Sequence, residues 1–181
     1  NKMPYNNYVN YFRRLNSDKG YYEACDILAY ESKWVGFEKY KKIVEKSLKD
    51  TKKRLSKKYL VTADVCCGDY AWISRHFSDY CKIIYCVDFN KKALISDVIM
   101  HNKKCISLNK DASNEIFKNG ELDYIFCGQN VYTSFIKNFC LAIRKEGTIL
   151  LIKPEEGDDF YLRSNIKGYD MNARKKEIKE I

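Results

Sequence analysis

From residue 59 onward the chain alternates between short apolar runs and stretches with helical periodicity, and this alternation limits the fold more than any other feature. YLVTADVC (59–66), CKIIYCVDF (81–89), KCISLNKDA (104–112), LDYIFCGQ (122–129) and TILLIKP (148–154) read as strands. Between them, AWISRHF (71–77) reads as the start of a helix, and NKKALISDVIMHNK (90–103) and VYTSFIKNFCLAIRKEG (131–147) read as helices. Strands that are apolar nearly throughout have no face to give to water, so both faces of their sheet must be covered. A parallel sheet with helices on each side does this, and right-handed crossovers make a doubly wound α/β domain the most economical topology.

At 181 residues and 45% apolar, the chain is long enough to build one core and hide roughly two-thirds of its unfolded surface. No apolar run reaches the ~20 residues that a bilayer-spanning helix needs. The segment NKMPYNNYVNYF lacks the basic-then-apolar order of a secretory signal. A soluble, cytoplasmic protein without a membrane partner is expected. The cysteines at 25, 66, 67, 81, 86, 105, 127 and 140 lie mostly inside the apolar runs, and no CxxC pair occurs. That pattern argues against a metal site and for reduced, buried thiols. His76 and His101, the only histidines, give little support to a Cys/His nucleophile, and both read as surface residues.

The net charge of +9 is uneven: residues 1–60 carry 15 Lys/Arg against 7 Asp/Glu, while residues 121–181 carry 10 of each. GFEKYKKIVEKSLKDTKKRLSKKY (36–59) reads as an amphipathic helix with Phe37, Tyr40, Val44, Leu48 and Leu55 on its apolar stripe. Its lysines are either a solvated helix face or, over residues 39–58, a patch for nucleic acid or another polyanion.

In a doubly wound sheet the ligand crevice lies beyond the carboxyl ends of the strands, where strand order reverses. The residues there are Asp64 to Tyr70, Asp88 and Phe89, Asp111 and Ala112, and Cys127 to Asn130. Three of these four ends carry an aspartate. Asp88 follows Gly68 by 20 residues, a spacing suited to gripping a ribose diol, although a strand-end aspartate also serves as a helix cap. Trp72 reads as core. The same spacing leaves an NAD-linked oxidoreductase open, but a pyrophosphate needs bare glycine backbone at the first turn, and Gly68 is the only glycine there.

Residues 61–154 resemble the class I S-adenosylmethionine-dependent methyltransferases. ADVCCGDYAWIS resembles the first motif of that family, YCVDF the acidic end of its second strand, and KDA the Asp-Ala pair that meets adenine. LDYIFCGQ resembles its fourth-strand motif, and AIRKEGTILLIKP the turn leading into strand five. The resemblance implies a Rossmann-like, mainly parallel sheet spanning residues 59–181, with a helical cap over residues 1–58. It implies S-adenosyl-L-methionine as cofactor and S-adenosyl-L-homocysteine as product. Asp64, Cys66, Gly68 and Tyr70 would line the methionine side, Asp88 would take the ribose hydroxyls, and Phe89 would pack beside adenine. Asp111 and Ala112 would bind the adenine edge, and Cys127 would sit at the fourth strand end. Gln129 and Asn130 would face the transferring methyl, with Asn130 and Tyr132 the nearest candidates for a catalytic role. Asp64 and Asp69 would also suit a positively charged sulfonium ligand better than a pyrophosphate.

The family tetrad Asn/Asp-Pro-Pro-aromatic is replaced here by CGQN, which turns the expectation from planar amines toward a small-molecule acceptor. An aromatic lid over residues 1–35 would close its pocket. The 27 residues after Pro154 leave room for a helix and at most one short strand, so an abbreviated sheet with an exposed edge, and hence a homodimer, is expected. The single-glycine first motif and the basic first third leave two alternatives: a degenerate methyltransferase fold acting as an RNA- or partner-binding subunit, or a methyltransferase acting on RNA.

Overall fold

The computed structural model of the protein describes residues 37–128 and 133–152. The chain divides into two compact units, Val44–Ile152 and the combination of Asn1–Ile43 with Lys153–Ile181. The lid residues 1–35, and Gln129, Asn130 and Tyr132, lie outside the described residues.

In chain order the described elements are helix α1 (Phe37–Lys52), strand β1 (Leu60–Val65), helix α2 (Trp72–His76), strand β2 (Cys81–Asp88), helix α3 (Asp97–Met100), strand β3 (Cys105–Asn109), strand β4 (Leu122–Gly128), helix α4 (Thr133–Ala142) and strand β5 (Ile143–Ile152). The five strands form one sheet in the order β3-β2-β1-β4-β5, and every neighbouring pair is parallel. The expected Rossmann-like parallel sheet is therefore present, and its order reverses between β1 and β4.

Burial follows from position in the sheet. Interior strand β4 buries Leu122, Tyr124, Ile125, Phe126 and Cys127, and β1 and β2 contribute Ala63, Val65, Ile84, Cys86 and Val87. Val44, Leu48, Trp72, Ile73, Phe77, Phe135 and Phe139 cover them, and the Phe77 ring stacks 4.8 Å from that of Tyr124. Edge strand β3, with one neighbour, is mostly exposed.

Four helical stretches are shorter than the sequence suggests. The 36–59 helix stops at Lys52, because Lys52, Lys53, Arg54, Lys57 and Lys58 would stack like charges at neighbouring helical positions. Leu55, expected on its stripe, lies half-buried beyond the end. The 90–103 stretch breaks into a 3₁₀ turn at Ala93–Ile95 and the short α3. Ser96 between them is extended, at φ −63° and ψ 149°, and β-branched Ile95, Val98 and Ile99 offer little helix propensity to close the gap. α2 runs only five residues before a 3₁₀ turn.

The expected 131–147 helix ends at Ala142, and Ile143 already pairs with Leu122. The next pair is Tyr124 with Thr148, so Arg144 to Gly147 loop out opposite the single residue Asp123. Gly147 has no room for a side chain there: a Cβ would lie 2.7 Å from the Ile143 side chain and 2.9 Å from the Arg144 carbonyl.

Candidate functional site

The carboxyl ends of β1, β2 and β4 converge at the reversal of strand order. After Val65 the chain turns through Cys66 at φ 59°, Gly68 at φ 59° and Ala71 at φ 52°. Two of these left-handed positions are held by residues with a Cβ, which costs about 1–2 kcal/mol each. Strain of this kind persists where the surroundings over-determine a turn. Asp88 at the end of β2 supplies that determination. Its Oδ2 accepts from the Gly68 amide at 2.9 Å, and its Oδ1 accepts from the Asn90 amide at 2.8 Å. These two bonds fix the orientation of the Asp88 carboxylate.

Asp64 lies fully buried beneath the same turn. Its Oδ2 accepts from the Ile73 amide at 3.1 Å, fixing the start of α2. Its Oδ1 is buried without a hydrogen-bond partner. Desolvation pushes the carboxyl up to about 8, against the lowering effect of the Ile73 bond, with Cys105 and Asp88 adding to the rise. Asp69, also carrying a buried oxygen without a partner, is raised by desolvation to about 6 while Arg75 opposes the shift. A cationic ligand entering this turn would meet two carboxyl oxygens that nothing else satisfies. These acceptors suit a sulfonium-bearing amino acid, whose positive charge would favour ionised Asp64, better than a pyrophosphate, whose charge would disfavour it.

On the far side, Asp111 accepts from the amide and the hydroxyl of Ser113 at 2.9 and 2.8 Å. Ala112 is buried beside it. Asn138 of α4 donates to the carbonyls of Ala112 and Asn114 at 3.2 and 3.0 Å, and Asn109 donates to those of Asp88 and Phe89 at 3.1 and 3.0 Å. These two asparagines brace the strand-end loops and were not singled out from sequence. Asn109 ends a strand, which is a weak signal, and Asn138 carries none.

Tyr70 belongs to the packing of α2. Its ring lies 4.3 Å from that of Trp72, the Arg75 guanidinium sits 4.3 Å over it, and its hydroxyl meets His76 Nε2 at 3.0 Å. His76, expected on the surface, is instead half-buried between Tyr70, Trp72 and Glu45. Trp72 is core, as expected.

The cysteines of the described residues are all free thiols. Cys66 bonds to Cys127 across the β1–β4 seam, and that bond together with burial raises its thiol well above the ordinary range. Burial pushes Cys67 up to about 12. None of these raised thiols offers a thiolate, in keeping with packed core residues. Among the described residues no cluster could hold a metal ion, and no helix is long and apolar enough to cross a membrane.

No protein-family model and no curated protein matches the sequence. Solved structures do match the fold. Phosphoethanolamine N-methyltransferase 1 of Haemonchus contortus, in complex with phosphoethanolamine and S-adenosylhomocysteine, is similar at TM-score 0.61 and 14% identity, covering 80% of this chain and 31% of that one. The [4+2]-cyclase SpnF is similar at TM-score 0.54 and 14% identity, over 62% of this chain and 47% of that one. YcgJ of Bacillus subtilis follows at TM-score 0.53 and 17% identity, over 61% and 53%. The chain spans about half the length of the first structures it matches. At such identities the likeness speaks for architecture alone, and with the strand order and the strand-end turn it settles that architecture: the chain has the Rossmann-like fold of the class I S-adenosylmethionine-dependent methyltransferases.

Proposed function

We propose that the protein binds S-adenosyl-L-methionine at the carboxyl end of its sheet and transfers the methyl group to a small-molecule acceptor in the cytoplasm. The observation that carries this reading is the buried, unpartnered Oδ1 of Asp64 beneath a turn anchored by Asp88. A carboxyl group in that position gains most from a ligand that brings positive charge and little from one that brings phosphate.

When bound, the donor supplies an electrophilic methyl on a sulfonium, and most of the rate can come from alignment. The chain's own residues would do the aligning. Asp64, Cys66, Gly68 and Tyr70 form the methionine side through the turn that Asp88 and Ile73 hold. Asp88 would take the ribose hydroxyls, with Phe89 alongside adenine. Asp111 and the Ala112 amide address the adenine edge, and Cys127 closes the floor at β4. Gln129, Asn130 and Tyr132 follow β4 directly and are the candidates for facing the methyl, while residues 1–35 would cover the acceptor. A structural neighbour that holds phosphoethanolamine and S-adenosylhomocysteine is a precedent for a small acceptor on this fold. Another neighbour is a [4+2]-cyclase, so fold alone does not fix methyl transfer.

Two measurements test the reading. Isothermal titration should detect both donor and demethylated product, and no heat at millimolar ligand removes the proposal. If both bind, assays with labelled donor over small amines, hydroxyls and thiols should then find transfer.

A further inference from the structure

Among the described residues, four with a Cβ occupy left-handed backbone: Tyr59 at φ 63°, Cys66 at 59°, Ala71 at 52° and Glu146 at 68°. Cys66 and Ala71 shape the turn at the carboxyl end of the sheet. Tyr59 and Glu146 lie at the opposite end, one before β1 and one in the excursion that opens β5. At this end is a cleft of about 330 Å³ lined by Arg54, Lys57, Leu60, Arg144, Lys145, Glu146 and Asp123, among others, with Tyr59 adjoining the lining residue Leu60 in the chain.

We infer that this cleft is a second binding site, for the phosphodiester backbone of single-stranded nucleic acid, with Tyr59 as a stacking surface for a base. Four cations converge from two separate segments. Asp123 is already neutralised: it accepts from the Val61 amide at 2.9 Å, from Arg144 at 2.9 Å and from Lys57 at 3.3 Å. Arg54 and Lys145 are exposed and have no ion-pair partner among the described residues, and Glu146 is the one remaining acidic lining group. The field in the cleft is therefore positive.

Tyr59 distinguishes a nucleic acid from a bare anion. It is 77% exposed, directly follows Lys57 and Lys58 in the chain, and is held in a backbone conformation that a tyrosine adopts only against a penalty. An aromatic face beside a basic groove is the arrangement that binds single strands without base readout. Lys58 itself lies 5.2 Å over the Tyr80 ring, which continues the basic surface along an aromatic. The strands separate this cleft from the donor turn by the length of β1, about 20 Å, so it is independent of the methyl-donor reading.

The test is fluorescence anisotropy of a labelled twelve-nucleotide oligouridylate RNA with the full chain and no methyl donor. Three to four phosphate contacts predict binding that weakens roughly 20- to 50-fold between 50 and 200 mM KCl. Arg54→Glu with Lys145→Glu should weaken it at least tenfold, whereas Lys103→Glu with Lys110→Glu, the same change in charge elsewhere, should weaken it less than threefold. Tyr59→Gly should weaken binding at least fivefold without lowering Tm, and Tyr59→Phe should bind as the parent does. Equal losses from the two charge pairs, an unaffected Tyr59→Gly variant, or equal binding of a duplex of the same length would each overturn the proposal. Loss of donor binding would leave it standing.

Discussion

Asp64 and Asp123 sit on adjacent strands near opposite ends of one sheet, and the protein treats their charges in opposite ways. Asp64 is buried with one backbone donor and one unpartnered oxygen. Asp123 is surrounded by Lys57, Arg144 and the Val61 amide. The carboxyl end thus carries a shortage of positive charge and the amino end an excess of it. A buried group without its counter-charge is costly unless a ligand brings one, while exposed cations beyond what one carboxylate needs serve attraction more than stability. The proposed donor site would gain from a cation, the inferred cleft from an anion.

The largest test removes the shortage. Asp64 has a folded value of about 8 against an ordinary 3.8, so the folded state holds the proton more tightly. Its contribution to stability is full below about pH 4 and is lost as pH rises to about 8, by an amount on the order of 5 kcal/mol as an upper bound. Asp64→Asn should flatten this decline in urea unfolding measured from pH 4 to 9; an unchanged profile would mean the carboxyl is not desolvated. Donor binding should release a proton in the parent near pH 7, seen as a buffer-dependent heat, and not in the variant.

Next comes Asp88→Ala, which leaves the Gly68 and Asn90 amides without acceptors. A loss of about 2–4 kcal/mol is expected, with donor binding abolished in titration calorimetry. Asp88→Asn can restore one acceptor and should recover part of the stability but little of the binding. Full donor affinity in Asp88→Ala would break the assignment of this end of the sheet.

The comparison also marks where sequence reading succeeds. The five strands were legible because apolar runs at strand length declare burial on both faces, and the expected strand five, beginning at Thr148, is where its main pairing with β4 begins. The positions of Asp64 and Asp88 near the carboxyl ends of their strands were legible because the strands themselves were. The amino-terminal cleft was not. Its parts, Arg54 to Lys57 with Leu60, Asp123, and Arg144 to Thr148, are distant in sequence and meet only through the β1–β4–β5 order. The broken 90–103 helix was missed because its apolar spacing satisfies a helix while Ser96 and its β-branched neighbours do not. The unpartnered oxygen of Asp64 is a fact of packing that no local pattern encodes.

At the amino end, Asp123→Ala should act in two directions. Losing the acceptor for Val61 should cost about 1–2 kcal/mol, and freeing Lys57 and Arg144 should strengthen oligonucleotide binding severalfold. A variant that weakened both would mean that Asp123 positions the cations more than it neutralises them.

The smallest expected effect separates the strain at the two ends. Glu146 is exposed and left-handed, so Glu146→Gly removes a backbone penalty of about 1–2 kcal/mol and adds unfolded-state freedom worth roughly half to one, for a net gain of about 0.5–1 kcal/mol. Cys66→Gly relieves the same dihedral, but it deletes a half-buried side chain whose sulfur bonds Cys127, and the lost burial should cancel the gain. Thermal melts of the two variants should therefore diverge, with Tm rising for Glu146→Gly and holding level for Cys66→Gly. Equal rises would mean that the Cys66–Cys127 contact contributes nothing to the seam between β1 and β4, and that the turn tolerates cysteine without depending on it.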